Sequence, residues 1–143
     1  RVVLLRTGVV LSPRGGALAR MITPFRFGVG GPLGDGRQWM SWIALEDHLR
    51  AMEYALSADR MRGPVNLVSP NPVRSAQLAA TLGRVLARPA WLPVPAVALE
   101  LLFGEMARAT LLASQRALPL ALSAAGFEFT HPTVEGALRA MLA

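Results

Sequence analysis

The chain has 143 residues, enough for one domain or part of one. Hydrophobic residues make up 52% of it, so a core can be buried, yet no apolar run reaches the roughly 18 residues that a membrane span requires. Cysteine is absent, which excludes disulfides and thiol chemistry and fits a cytoplasmic protein; the net charge of +6 rests on arginine alone, and without lysine there is no Schiff base, no phosphate-loop lysine and no Tyr-Lys catalytic pair.

The arginines are scattered singly from Arg6 to Arg139, with few aromatics between them, so no nucleic-acid partner is expected. No signal peptide opens the chain. It begins without Met, directly on a strand-like run, and reads as a piece cut inside a domain.

Val2-Val3-Leu4-Leu5 is a continuous apolar run and predicts a strand buried on both faces of a parallel sheet. Arg6-Thr7-Gly8 leaves it at the carboxyl end, where open α/β sheets place their ligand crevice. This is either a cofactor or substrate edge or an ordinary strand exit. Gly8 allows close backbone approach or positive φ, and Pro13 ends regular pairing. Leu18, Met21 and Ile22 share one face of a helix that Pro24 limits to about two turns.

Gly28 to Gly36 is a loop. It follows a helix and opens a strand, the reverse of a phosphate cradle, so a lip over a site or a plain connection is expected. Gln38 to Ile43 predicts a strand with Gln38, Met40 and Trp42 on one face and Trp39, Ser41 and Ile43 on the other, covered on both sides. Its tryptophans suit a core, with a substrate-facing role for one as the alternative.

Leu45 to Ser57 is the clearest helix, with Leu45, Leu49, Met52 and Leu56 as its buried stripe. Glu46 and Asp47 suit the first-turn dipole, Glu46 and Arg50 suit an i,i+4 pair, and His48 suits the surface or boundary. Val65 to Val68 predicts a second strand. Asn71 as N-cap and Pro72 as first residue predict a helix with Leu78, Leu82, Val85 and Leu86 inward and Arg74, Gln77, Thr81 and Arg84 outward. Arg88 to Pro95 is extended, with Trp91 expected to insert into the body. Helices are expected at Ala96 to Phe103, Glu105 to about Ala113, Leu120 to Ala125 and Pro132 to Leu142, the last with Val134, Leu138, Met141 and Leu142 inward.

Candidate catalysts are few. There is no Gly-x-Ser-x-Gly elbow, no glycine-rich dinucleotide fingerprint and no set of ligands for a metal, and Tyr54 has Ala58, not Lys, four residues on. No catalytic residue and no metal site are assigned.

The order of Arg6-Thr7-Gly8-Val9-Val10-Leu11-Ser12-Pro13, Gly34-Asp35-Gly36-Arg37-Gln38-Trp39-Met40-Ser41-Trp42-Ile43, Glu46-Asp47, Gly63-Pro64-Val65-Asn66-Leu67 and Pro93-Val94-Pro95 resembles the C-terminal half of an extended short-chain dehydrogenase/reductase of the NAD-dependent epimerase/dehydratase family. More narrowly it resembles a bacterial subgroup sometimes labelled cell-division-inhibitor-like, whose chain closes with a helical domain of unknown function. Gly104-Glu105-Met106 and Gln115-Arg116-Ala117-Leu118-Pro119 match that ending.

The resemblance implies an α/β fold: the last strands of a Rossmann-like NAD(P)-binding domain over residues 1–88, then a small helical domain over residues 89–143. It implies that Thr7, Gly8 and Val9 approach the nicotinamide end of NAD or NADP in the parent protein, with none bound by this piece alone. Gln38 to Ile43 and the Gly28–Gly36 loop would line the substrate cleft. Arg6, Arg37, Gln38, Trp39 and Trp42 are the candidate substrate residues, with Arg6 and Arg37 meeting an anionic group or pairing with Glu46 or Asp47.

The implied function is the substrate side of a nucleotide-sugar-epimerase-like oxidoreductase, inactive alone. The alternative is a non-catalytic sensor or interaction module. The implied partner is a small, nucleotide-sugar-like molecule; no membrane partner is expected, and the unpaired apolar edge of Val2–Leu5 predicts a homo-oligomer or strand-swapped dimer of the piece.

Overall fold

In the computed structural model, which describes residues 1–143 apart from the side chains of Ala107 and Thr110, Val3–Thr7 (β1) pairs in parallel with Gly63–Leu67 (β5), Leu5 opposite Val65. The chain breaks at Gly8 and resumes as Val9–Leu11 (β2), parallel to Trp42–Ala44 (β4). The break is tight. A Cβ on Gly8 would lie 2.6 Å from the Ser41 carbonyl oxygen and 2.8 Å from a Val68 methyl, so close approach is what demands glycine here.

The strand expected over Gln38 to Ile43 is divided at Ser41 into Trp39–Met40 (β3) and β4. The two halves serve different partners: β3 pairs antiparallel with Val73–Arg74 (β6), while the Ser41 carbonyl accepts the Val9 N–H at 2.8 Å.

Alternation along β4 sets the layers. Trp42 and Ala44 point into one buried cluster with Leu11, Phe25, Leu78 and Leu138; Ile43 points into another with Val65, Leu67, Leu122 and Phe127. Covering on both faces is therefore as expected for this strand. β1 is different. Among the described residues it has β5 as its ladder partner, and Leu4 and Leu5 are exposed rather than buried.

Gly16–Arg26 (α1) runs past Pro24, which was expected to end it. Phe25, 2% exposed, extends the buried face of Leu18, Met21 and Ile22 by one more contact, and that burial outweighs the missing N–H. Leu45–Ser57 (α2) is a helix as expected, but its stripe is reversed: Leu45, Leu49, Met52 and Leu56 are exposed, and Asp47, Ala51 and Ala55 are buried. Small residues let α2 lie close against the second cluster, and Asp47 is buried because it is fully hydrogen-bonded.

Ser75–Leu86 (α3) starts later than Asn71, which serves other bonds: its carbonyl accepts Trp42 Nε1–H at 2.8 Å and its amide donates to the Pro132 carbonyl at 2.7 Å. Thr81, expected outward, is buried and donates to the Gln77 carbonyl. Trp91, expected to insert, is 75% exposed. The stretch is held by its backbone instead, through Val94 N–H to the Pro32 carbonyl and Gly34 N–H to the Val94 carbonyl, both 2.9 Å.

Ala96–Phe103 (α4) ends at Gly104, where φ is +64°. The helix expected next is only a five-residue π-helical turn, Ala107–Leu111, followed by irregular chain. Leu120–Ala124 (α5) and Val134–Leu142 (α6) complete the chain, the latter capped by Thr133 Oγ1. No helix among the described residues is long and apolar enough to cross a membrane.

Candidate functional site

A cleft of about 390 Å³ opens at the carboxyl end of β1. Thr7, Gly8 and Val9 line it together with Trp39, Met40, Ser41 and Gln115, and Phe103, Ala109 and Leu111 add an apolar wall. The first three are placed by parallel pairing, which ends β1 and starts β2 at the same level. A second hollow of about 380 Å³ shares Thr7, Gly8, Ser41 and Gln115 and adds Arg6, Asn66 and Arg116. Neither hollow is lined by an Asp or Glu among the described residues.

The segment after the π-helical turn is stitched to the strands by short bonds. Ser41 Oγ donates to the Gln115 carbonyl at 2.9 Å and accepts the Ala117 N–H at 2.8 Å. Trp39 N–H donates to Ser114 Oγ, and its carbonyl accepts the Gln115 N–H, both at 3.1 Å. The guanidiniums of Arg74 and Arg116 lie 4.7 Å and 5.0 Å from the centre of the Trp39 ring. Positive charge therefore gathers beside the cleft with no carboxylate in either lining to neutralise it.

Of the residues singled out in the sequence, Thr7, Gly8, Val9 and Trp39 meet in the main cleft, and Arg6 joins Thr7 and Gly8 on the adjoining shelf. The others lie elsewhere. Trp42 is wholly buried in the core and offers no surface to a substrate. Gln38 is 8% exposed; its amide donates to the Leu33 and Leu111 carbonyls, and its Oε1 is buried without a partner. Arg37 lies outside both linings, its N–H on Asp35 Oδ1 and its carbonyl accepting from Arg74.

Neither Arg6 nor Arg37 takes the acids, because Asp47 binds Arg50 and Glu46 binds His131 Nε2, both at 2.9 Å. This also replaces the expected Glu46–Arg50 pair. The Gly28–Gly36 loop does not border the cleft; it packs on the extended stretch at Leu92 to Val94. Sequence reading missed Arg116 and Arg20 in the walls. The one available signal was a polar pair, Gln115-Arg116, between apolar helices and before Pro119.

The arrangement can hold an anion, but among the described residues its linings carry no His, Tyr, Asp or Glu for proton transfer. Tyr54 Oη donates to the Ala125 carbonyl, away from the cleft. His48, pushed down by burial, is outside it as well. So is Glu135, pushed down by hydrogen bonds from Arg139 and then Arg84. Among the described residues no group of three or more His, Cys, Asp or Glu could hold a metal.

Residues 94–141 match the Domain of unknown function (DUF1731). An epimerase family protein of Mycobacterium bovis is 52% identical over 138 residues, covering 96% of this chain and 46% of the relative. The crystal structure of human epimerase family protein SDR39U1 (isoform2) with NADPH superposes with a TM-score of 0.90 at 36% identity, covering 97% of this chain and 47% of that one. A nucleoside-diphosphate sugar epimerase from Corynebacterium glutamicum superposes with a TM-score of 0.72 at 35% identity, covering 99% of this chain and 26% of that one. The chain thus spans about half the length of the curated relatives it matches, and the α/β fold is the Rossmann-like epimerase fold. The chain corresponds to the C-terminal portion of epimerase family proteins.

Proposed function

We propose that this chain supplies the substrate side of the cleft of an NAD(P)-dependent, epimerase-like oxidoreductase that acts on a small anion. The observation that carries this reading is the meeting of Thr7, Gly8, Val9 and Trp39 in one cleft beside a shelf bearing Arg6 and Arg116 and no acid. The residues fit a nicotinamide edge: one hydroxyl and two small residues at the carboxyl end of a parallel strand, with open space above them. The human relative was crystallised with NADPH. When bound, that cofactor supplies hydride transfer at a carbinol carbon.

In this reading Arg6 and Arg116 hold the anionic group by charge-assisted bonds, and Trp39, steadied by Arg74, flanks it. No residue here takes the acid–base role. In this reading that role falls to the portion of the relatives that this chain does not cover. A thermal melt of a full-length protein carrying this sequence, with NADPH and with NAD, tests the reading. A ligand at a hundred times its Kd adds about 2.7 kcal/mol of stability, a rise of several degrees. No rise with either dinucleotide sinks it.

A second reading, a non-catalytic interaction module, draws on one observation. Trp91, Leu101, Leu102 and Leu120 are all more than half exposed on the C-terminal segment. A monodisperse monomer that captures no partner in a pull-down counts against it.

A further inference from the structure

The apolar wall of the cleft is chemically unlike a sugar site. It is built by the end of α4 and the π-helical turn, and it presents Phe103, Ala109 and Leu111. The polar side chains in the main cleft are few and mostly engaged. The Ser41 hydroxyl is used both as donor and as acceptor. Arg20 donates to the Leu102 carbonyl at 3.1 Å, and its guanidinium lies 5.4 Å from the centre of the Phe103 ring. On the shelf, the Asn66 amide donates to the Leu118 carbonyl. Among the described residues, the Thr7 hydroxyl, the Gln115 amide and the Trp39 indole N–H remain as uncommitted polar groups, few for a ring carrying several hydroxyls. A sugar pressed against this wall would leave hydroxyls dehydrated and unpaired, which is unfavourable, whereas a hydrocarbon group would bury apolar surface on both sides.

Resting on the proposed oxidoreductase cleft, we propose that its substrate is an amphiphilic anion: an aryl or alkyl body against Phe103 and Leu111, and an anionic group on Arg6 and Arg116, in place of a sugar. The two hollows share Thr7, Gly8, Ser41 and Gln115, so they adjoin along these residues, and the proposed substrate spans both. The Trp39 ring lines the main cleft, and Arg116, over that ring, lines the shelf, so the pair joins the apolar and charged halves.

Isothermal titration calorimetry on the full-length protein tests this with 4-phenylbutyrate, glucose 1-phosphate and UDP-glucose as probes, at two temperatures. The expected result is 4-phenylbutyrate binding about tenfold or more tightly than either sugar, with the negative heat-capacity change of apolar burial. Ala109→Asp, which puts a charge on the apolar wall from an exposed position, should weaken 4-phenylbutyrate by about tenfold, and so should Arg116→Ala. A sugar binding more tightly than 4-phenylbutyrate overturns the proposal and leaves the oxidoreductase reading intact. So does failure of all three probes in a protein that NADPH or NAD protects. Failure of all three without that protection overturns both. Unchanged 4-phenylbutyrate binding in both variants places it outside this cleft and also overturns the proposal.

Discussion

The backbone N–H of His131 donates to Oδ2 of Asp47 at 2.7 Å, so a carboxylate in the first turn of α2 holds the chain that leads into α6. Oδ1 accepts the Thr130 N–H at 2.8 Å and Arg50 Nη1 at 2.9 Å. Asp47 has no exposed surface, whereas Arg50 is 42% exposed. The value of the carboxylate therefore lies in the two backbone groups it satisfies rather than in the ion pair. Asp47→Ala strands both N–H groups and should cost about 2–5 kcal/mol in urea denaturation. Glu135→Gln breaks the exposed links to Arg84 and Arg139 and should move the midpoint far less. Equal losses from the two substitutions would show that burial is not what sets the scale.

His48 carries a buried Nδ1 without a partner, and burial pulls its pKa below 6.5. The unfolded chain then binds the proton more readily than the folded one. Its contribution is fully present above pH 6.5 and is lost as pH falls through the lower folded value. The groups around it on α2 are Glu46 and Asp47, which hold His131 and Arg50. Urea midpoints measured from pH 8 down to pH 5 should therefore fall less steeply in His48→Gln than in the natural chain. Parallel slopes would assign the fall to another group.

Gly31 has no room for a side chain. A Cβ there would lie 1.8 Å from the Leu92 carbonyl oxygen and 2.4 Å from its carbon, both backbone atoms. Gly31→Ala must push the loop off the stretch bonded at Pro32, Gly34 and Val94. The expected loss is about 1–3 kcal/mol, with faster proteolysis near Trp91. Gly15→Ala meets nothing within 4 Å and should be neutral or stabilising by up to about 1 kcal/mol. A neutral Gly31→Ala would mean that the two segments separate at little cost.

Much of this architecture is legible from local pattern. The β-branched runs gave β1 and β5, Gly104 ended α4, and alternation through Trp42 and Ile43 anticipated a strand covered on both faces. The stripe of α2 was misread because periodicity reports which residues share a face, not which face is covered. Leu45, Leu49, Met52 and Leu56 do share one, and it is the exposed one. Trp91 failed for a related reason: an extended, proline-rich stretch held by backbone bonds need not insert its largest side chain. Within the site, Thr7, Gly8 and Val9 were legible as a strand exit. Arg116 was not, because its place beside Trp39 depends on bonds from Ser41 to residues some 75 positions away.

The same limit separates the two tryptophans, which look equivalent in the sequence. Trp42 is fully buried and donates from Nε1 to the Asn71 carbonyl at 2.8 Å. Trp42→Phe removes that bond and leaves a void, so it should cost about 2–4 kcal/mol while leaving ligand affinity in the surviving folded protein near normal. Trp39 is half-buried, lines the cleft and carries the guanidiniums of Arg74 and Arg116 over its ring. Trp39→Leu keeps an apolar residue but loses the ring on which those charges sit. Its stability cost should stay near 1 kcal/mol, the usual scale of an exposed cation–π contact. Binding of 4-phenylbutyrate should fall by about fivefold or more, because both the apolar wall and the seat of Arg116 are altered. Denaturation midpoints and calorimetric titrations on the two variants give the comparison. If Trp42→Phe weakens the ligand and Trp39→Leu does not, the substrate side of the cleft lies on the opposite face of this strand pair.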